Sequence, residues 1–378
     1  MSRDRPICVI IRFAHKLPAL RSLTINSDIT IHSDMTIDSD LTITSLSLQA
    51  VLSTFPTLTS LTLGCVYVTH MLAFRMILAA LPALRKLSLE DVKWWHHRGN
   101  DGFSSYSSDV YPIPPLTHLA WSRAEFWWDS LHAAKSAAVL TCLLRAVCQS
   151  IEYVSVEDLQ GEIIEQAASH MSGSLVLPRL STIKLLQVVD EPDNFDGMGY
   201  PIPKDDLTDV LRRQKSFLDT IMPAEHLRSV TIAFKYTHSA SPAPSRSLNA
   251  LLRGFEEIST DLEDSLTTPS LERLEAVEFE LQEVRPSPNP SVESLHLLVT
   301  SLLSSMEATF PRLRARGLLD VKFVMAIGEL MCTVPPSRTD QRPRTDALLG
   351  GDVPTHYRVD RGVLQATPIP EHDLHPFQ

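Results

Sequence analysis

A short leucine-rich phrase recurs nine times along this chain of 378 residues. The phrase has an apolar residue, two variable residues, a second apolar residue, one variable residue and a third apolar residue. Its copies are Leu20-Leu23-Ile25, Leu58-Leu61-Leu63, Leu84-Leu87-Leu89, Leu116-Leu119-Trp121, Ile151-Val154-Val156, Leu180-Ile183-Leu185, Leu227-Val230-Ile232, Leu271-Leu274-Ala276 and a degenerate copy at Leu313. Internal repetition of this kind is typical of proteins built from stacked units.

Each phrase predicts a short strand, because its apolar residues alternate with polar ones and would share one face. The segments between the phrases have apolar residues three and four apart, which predicts helices. These segments are 45–54, 70–81, 130–148, 205–222, 247–266 and 291–309. Strands that alternate with helices favour the α/β class with a parallel sheet. We therefore predict an irregular leucine-rich-repeat solenoid, with a curved parallel sheet and helices on its convex side.

The phrases and the segments between them predict the domain organisation. A proline two positions before the phrase usually ends the preceding helix. The predicted regions are an N-terminal segment 1–16, a solenoid 17–334 and a flexible Pro-rich tail 335–378, with loops at 96–114 and 189–204 and a β-like insertion at 26–43. The insertion repeats a hexad three times. It is either a duplicated β-insertion on the solenoid edge, or a small β-helical turn or calcium-binding rung.

Composition narrows the possible partners and compartments. Hydrophobic residues make up 44% of the chain, which is enough for a packed core. A formal net charge of −11 disfavours a nucleic-acid partner, since phosphate binding needs a basic face. The five cysteines include no C-x-x-C pair, and no apolar run is long enough for a signal peptide or a membrane span. We expect an intracellular protein, cytoplasmic or nuclear, that binds neither nucleic acid nor membrane.

The usual motifs of catalysis and cofactor binding are absent from the sequence. The clusters of metal-ligand type are His96-His97 and residues 371–375, and both are more simply explained as solvated surface. The sequence therefore predicts a noncatalytic chain without cofactor or metal. The alternative is an enzyme whose active site is assembled from residues far apart in sequence.

Two sets of residues are candidates for binding a protein. The outward positions of the predicted strands are mostly Ser and Thr, with larger anchors at Lys86, His118, Tyr153, Lys184 and Arg273. Adjacent tryptophans follow the third and fourth phrases, and Trp95 and Trp128 of these pairs would lie on one rim. The sequence leaves open which set binds. It also leaves open that the strand face is only solvated sheet and that the tryptophans of the rim only cover the core.

The phrases at 17–25, 55–63 and 81–92 share the pattern F/L-P-x-L-x-x-L-x-L. Residues 15–325 of the chain resemble the irregular leucine-rich-repeat region of fungal F-box-like proteins. The resemblance implies that the repeats recognise a protein partner, while an F-box binds the Skp1 adaptor of a cullin ubiquitin ligase. The resemblance thus implies a protein-binding scaffold, in the specific form of a truncated or degenerate F-box-type substrate receptor.

The chain differs from that family at two points. Residues 1–16 contain no F-box pattern, so Skp1 and cullin are expected partners only where an F-box lies upstream. The asparagine that follows the strand in regular leucine-rich repeats is replaced by Val66, Val92, Leu159 and Val188. Without an asparagine ladder, we expect apolar packing to hold successive turns together.

Overall fold

The computed structural model divides the chain into two units. The first unit comprises Met1–Gln187, Asp209–Val230 and Asp264–Glu275, and the second comprises Val188–Thr208, Thr231–Glu263 and Ala276–Gln378. The residues that the structure describes are 19–32, 42–68, 71–90, 92–94, 111–122, 130–158, 162–171, 175–190, 207–221, 225–237, 245–285, 301, 303–327, 355–360 and 363–368.

Strands and helices alternate along most of the described chain. The strands are β1 (Ser22–His32), β2 (Thr42–Thr44), β3 (Ser60–Val68), β4 (Lys86–Glu90), β5 (Lys93–Trp94), β6 (His118–Ser122), β7 (Tyr153–Asp158), β8 (Thr182–Asp190), β9 (Ser229–Thr237), β10 (Ala276–Arg285), β11 (Leu319–Ile327), β12 (Thr355–Asp360) and β13 (Val363–Pro368). The helices are α1 (Ser45–Leu52), α2 (Met71–Ala79), α3 (Ser130–Val147), α4 (Glu162–Met171), α5 (Leu207–Ile221), α6 (Ser245–Leu266) and α7 (Pro311–Ala315).

The phrase strands of the first unit follow one another in sequence order across the sheet, and β2 lies at the edge beside β1. The order is β2-β1-β3-β4-β6-β7-β8, all neighbours are parallel, and β5 extends the sheet beside β3. The phrases stay in register, so Leu61 pairs with Leu87 and Leu87 with Leu119. This arrangement confirms the predicted α/β class with parallel strands.

Alternate residues of these strands form the core of the first unit. Leu61, Leu87 and Leu119 have at most 2% of their surface exposed. Beside them, the ring of Trp94 stacks on Trp121 at 6.2 Å between centroids and meets Phe74 edge-on at 5.3 Å. Leucine side chains and aromatic rings therefore fill the space between sheet and helices, as the period-2 pattern predicts.

A backbone ladder joins successive strands where they begin. The carbonyl of Arg21 accepts hydrogen bonds from the amides of Thr59 and Ser60, both at 2.9 Å. The same double acceptance recurs at the carbonyls of Thr59, Arg85, Thr117, Glu152 and Ser181, each bonded to the next repeat. Hydroxyl groups add to this ladder. Thr59 Oγ1 donates to the carbonyl of Arg21 at 3.1 Å, and Thr117 Oγ1 donates to the carbonyl of Arg85 at 3.2 Å. The backbone ladder therefore joins the turns in addition to the apolar packing of the inward residues.

Four phenylalanine rings form the centre of the second unit. Phe255 of α6 contacts Phe234, Phe279 and Phe310 edge-on, with ring centroids 5.1 to 5.7 Å apart. Phe279 and Phe310 also stack on each other at 4.8 Å. In this unit β10 pairs in parallel with β11, and β11, β12 and β13 pair antiparallel. Aromatic packing therefore takes the place that leucine has in the first unit.

Helix α7 of the second unit is capped at both ends. At its start, Glu263 Oε1 accepts hydrogen bonds from the amides of Arg312 and Leu313 at 2.8 and 2.9 Å. At its end, Gly317 has φ +68°, its amide donates to Arg314, and the amide of Leu318 donates to Leu313. This Schellman arrangement needs a left-handed residue, which glycine adopts without strain.

The last two phrases lie at other positions than predicted. The amide of Glu275 donates to the carbonyl of Arg228, so Leu274 is the residue that corresponds to Leu58, and β10 begins at Ala276. The eighth phrase is thus Leu274-Val277-Phe279, three residues later. The ninth strand begins at Leu319, where Leu319 pairs with Val277, and not at the degenerate copy around Leu313.

Several predicted regions lie wholly or partly outside the described residues. The segment 1–16 is outside them, as are most of the loops 96–114 and 189–204. In the insertion 26–43, β1 continues to His32, and β2 pairs in parallel with its last three residues. In the segment 335–378, predicted as a flexible tail, the structure places β12 and β13 at 355–360 and 363–368.

Candidate protein-binding face

Six parallel strands of the first unit present one face that is not buried. On β1, β3, β4, β6, β7 and β8, the residues between the buried leucine positions are exposed or half-exposed. We call this set the open face, and its first two rows are Ser22, Ser60, Lys86, His118, Tyr153 and Thr182, then Thr24, Thr62, Ser88, Ala120, Ser155 and Lys184. The sequence predicts both rows correctly, because the alternation is strict in these phrases.

Three of the predicted anchors are neighbours in the first row. Lys86 pairs in register with His118, and His118 with Tyr153. The imidazole and phenol rings stack, with centroids 5.5 Å apart and planes 28° from parallel. His118 Nδ1 is also 2.9 Å from Thr117 Oγ1, which fixes the orientation of the imidazole ring. The two rings therefore form a small platform that is already ordered without a partner.

The surroundings of His118 favour the neutral form of its ring. Partial burial lowers its pKa below the ordinary value of 6.5, and the positive charge of Lys86 lowers it further. The carboxylate of Glu152 acts in the opposite direction. Because Nδ1 already contacts Thr117 Oγ1, the neutral imidazole offers its Nε2 for a hydrogen bond to a polar partner group.

The other two predicted anchors of the strand face lie elsewhere. Lys184 is in the second row of the open face, half-buried and in register with Ser155. Arg273 is exposed, precedes β10 by three residues, and has Nη1 2.8 Å from His226 Nδ1. The structure therefore brings Lys86, His118 and Tyr153 together, places Lys184 on the same face, and does not place Arg273 on a strand.

The second predicted set is the aromatic rim. Trp95 and Trp128 lie outside them. Trp94, the neighbour of Trp95, is only 2% exposed in the core of the first unit.

Two acidic residues also lie on the open face, although they were not among the predicted site residues. Glu90 of β4 and Glu157 of β7 both pair with Ser122 of β6 in a third row. Glu90 is exposed, and its Oε1 accepts a hydrogen bond from Ser88 Oγ at 3.0 Å. The signal was present, because both residues continue the same alternation one step beyond the leucine phrase.

The chain matches no protein-family model and no curated protein. None of the described helices is both long and apolar enough to cross a membrane. Nor do the described ranges contain three or more His, Cys, Asp or Glu side chains grouped as metal ligands. The site must therefore be interpreted from its own geometry.

Proposed function

We propose that this chain is a noncatalytic protein-binding scaffold, an irregular leucine-rich-repeat solenoid that contacts its partner through the open face. The single observation that carries the proposal is the alternation of inward and solvent-facing residues over the first two rows of six successive parallel strands, where every inward residue except the half-buried Leu23 is buried. Most parallel sheets are covered by helices on both faces, and their strands are then apolar throughout. A parallel sheet with one uncovered face is typical of solenoids, which use that face for binding.

The strand order supports the same architecture. Each strand from β1 to β8 pairs with the next one of the repeat, always in the same direction across the sheet. Crossovers between parallel strands are right-handed almost without exception. Successive right-handed crossovers that advance in one direction place their helices on one side of the sheet. The other side remains free to meet a partner, and we infer that the helices occupy the convex side.

The residues on this face are suited to protein recognition. The aromatic platform of His118 and Tyr153 offers a large contact area with few rotatable bonds, as interface anchors do. Lys86 and Lys184 add charge, and the remaining residues of the first two rows are small. Because small side chains leave the anchors prominent, a partner could reach them without rearrangement of the sheet.

The resemblance to fungal F-box-like proteins suggests a more specific role. In that role the open face holds a protein destined for ubiquitination, and an F-box upstream of the repeats binds Skp1 and a cullin. Expression of the chain with and without its upstream coding sequence, followed by affinity purification, tests this part. Co-purification of Skp1 and cullin with only the longer form is the expected result, and their absence from both would contradict it.

The open face itself is tested with a double variant, Tyr153→Ala with Lys184→Glu. A matched control is His170→Ala with Arg253→Glu, since both residues are exposed on helices. We expect the first variant to lose most of the partner that the wild type captures, with little change in melting temperature. The control should capture it normally. Equal capture by all three proteins would contradict the proposal.

A further inference from the structure

The open face has charges of opposite sign on two separate rows. Lys86 lies in the first row, and Glu90 lies four residues further along the same strand. Glu157 occupies the same third row two strands away. Four residues of extended strand span about 13 Å, and two strand spacings about 9.6 Å. Lys86 is thus too far from the two carboxylates to neutralise them, whereas Lys184, in the second row on β8, lies one strand and two residues from Glu157.

Short side chains separate the two rows. Between them lie Ser88, Ala120 and Ser155, in register on β4, β6 and β7. The side chains of Lys86, His118 and Tyr153 on one side, and those of Glu90 and Glu157 on the other, are longer than these three. We call the strip between them the trough, with one aromatic and basic wall and one acidic wall that carries the two glutamates.

The carboxylates of the acidic wall form no ion pairs within the described part of the chain. Neither Glu90 nor Glu157 has an ion-pair partner among the described residues, and Glu90 accepts only the hydroxyl of Ser88 there. Lys86 likewise has no carboxylate partner among them. Unpaired charges arranged in rows give a surface a directional field, which selects partners by charge.

We propose that the trough binds an extended segment of a partner protein that has Lys or Arg at alternate positions. This inference rests on the proposed function and specifies the partner for it. In an extended segment, residues i and i+2 point to the same side and lie about 6.6 Å apart. The long side chains of two such residues can cover the remaining distance between Glu90 and Glu157, while the intervening residue faces His118 and Tyr153.

The test uses fluorescent peptides of 11 residues and the full chain, with binding followed by anisotropy at about 0.15 M salt, where the Debye length is about 8 Å. One peptide alternates Lys and Thr, a second has the same composition with its lysines contiguous, and a third alternates Glu and Thr. Since the chain has a net charge of −11, any cationic peptide could be attracted nonspecifically. A matched charge control is therefore essential.

The test variant is Glu90→Lys with Glu157→Lys, and the control is Glu256→Lys with Glu272→Lys. Glu256 is exposed on α6 and Glu272 in the turn before β10, and both double variants change the net charge equally. We expect the test variant to bind the alternating Lys peptide about tenfold more weakly, and the control to bind within about twofold of the wild type. Glu90→Gln with Glu157→Gln should weaken binding in the same direction, without introducing repulsion.

Equal weakening by the test variant and the control would overturn the inference, because attraction would then be nonspecific. Equal binding of the contiguous-lysine peptide, or tighter binding of the alternating Glu peptide, would also overturn it. Failure of this inference can be distinguished from failure of the proposed function. If Tyr153→Ala with Lys184→Glu abolishes partner capture while the Glu variants leave capture and peptide binding unchanged, only the inference on partner chemistry is wrong.

Discussion

The outward residues of the strands differ between the two units in how far they are exposed to solvent. In the first unit Thr24 is exposed and Lys184 half-buried. In the second unit, Thr231 has the same phrase position on β9 but is only 8% exposed, and the next outward residue, Ala233, is fully buried. The same short phrase therefore does not by itself determine whether a face is open. The surroundings of each strand decide it, and a binding surface can be expected only where they leave the face uncovered.

The largest expected effect is on the aromatic centre of the second unit. Phe255→Ala removes the ring that contacts three others, and we expect a loss of about 3 to 5 kcal/mol in the free energy of unfolding. Denaturant titration measures it, and Phe255→Leu should cost clearly less. In the first unit, Leu87→Ala should cost about 2 to 5 kcal/mol. A loss below 1 kcal/mol in either variant would show that its core is not packed as described.

The second prediction tests whether the outward positions of β1 and β9 differ in burial. Thr231→Lys should destabilise the protein by at least about 2 kcal/mol, because it adds volume and a charge at a buried position. Thr24→Lys at the same phrase position should change stability by less than about 0.5 kcal/mol. β8 already has a lysine there, Lys184, on the open face. Equal melting temperatures for the two variants would show that β9 also has an open face.

The phrase strands of the first unit could be predicted from the sequence, because an apolar residue at every phrase position fixes both register and face. The eighth phrase was misplaced because the triplets Leu271-Leu274-Ala276 and Leu274-Val277-Phe279 overlap. The proline rule favoured the first triplet. In the structure, however, Pro269 begins a 3-10 turn, Pro269–Leu271, which displaces the strand by three residues.

Helix α4 was missed although its pattern was present. Its buried residues Ile163, Ile164, Ala167, Ala168 and Met171 have helical spacing, but the helix has only 10 residues. For the site, Lys86, His118, Tyr153 and Lys184 could be predicted as outward residues from period-2 alternation alone. The stacking of His118 on Tyr153 could not, because it depends on the register between β6 and β7, which is a property of the folded sheet.

The third prediction concerns the carboxylate that caps α7 in the second unit. Glu263 is 3% exposed and binds two backbone amides of that helix. Glu263→Gln should lower the free energy of unfolding by about 1 to 3 kcal/mol, since the amides lose a charged acceptor. Glu256→Gln on the exposed side of α6 serves as the control and should have almost no effect. Equal losses in the free energy of unfolding for the two variants would contradict the capping role of Glu263.

The fourth prediction tests the hydroxyl part of the ladder in the first unit. Thr117→Val should cost about 0.5 to 1.5 kcal/mol, because its hydroxyl bonds both the Arg85 carbonyl and His118 Nδ1. Thr62→Val, on the half-exposed face of β3, should cost less. If the two variants have the same melting temperature, the backbone amides alone support the ladder.

The smallest effect is electrostatic and concerns His118. NMR titration should give a pKa below 6.5 for its ring. Lys86→Ala should raise this pKa, because a repelling positive charge is removed, and Glu152→Gln should lower it. Since the folded pKa is depressed, the contribution of His118 to stability is complete above pH 6.5 and decreases as the pH falls toward the folded value. Shifts of the same sign in both variants would contradict the proposed surroundings.

The ladder at the strand starts has a consequence for how such a protein can evolve. Its main donors and acceptors are backbone atoms, from the Arg21 carbonyl to that of Ser181, so they are unaffected by most substitutions. The outward side chains can therefore change without disturbing the register of the sheet. Selection could replace His118 or Tyr153 and so exchange one partner for another, while the fold is inherited intact. Rapid divergence of the open face over a constant frame is the evolutionary signature that this construction permits.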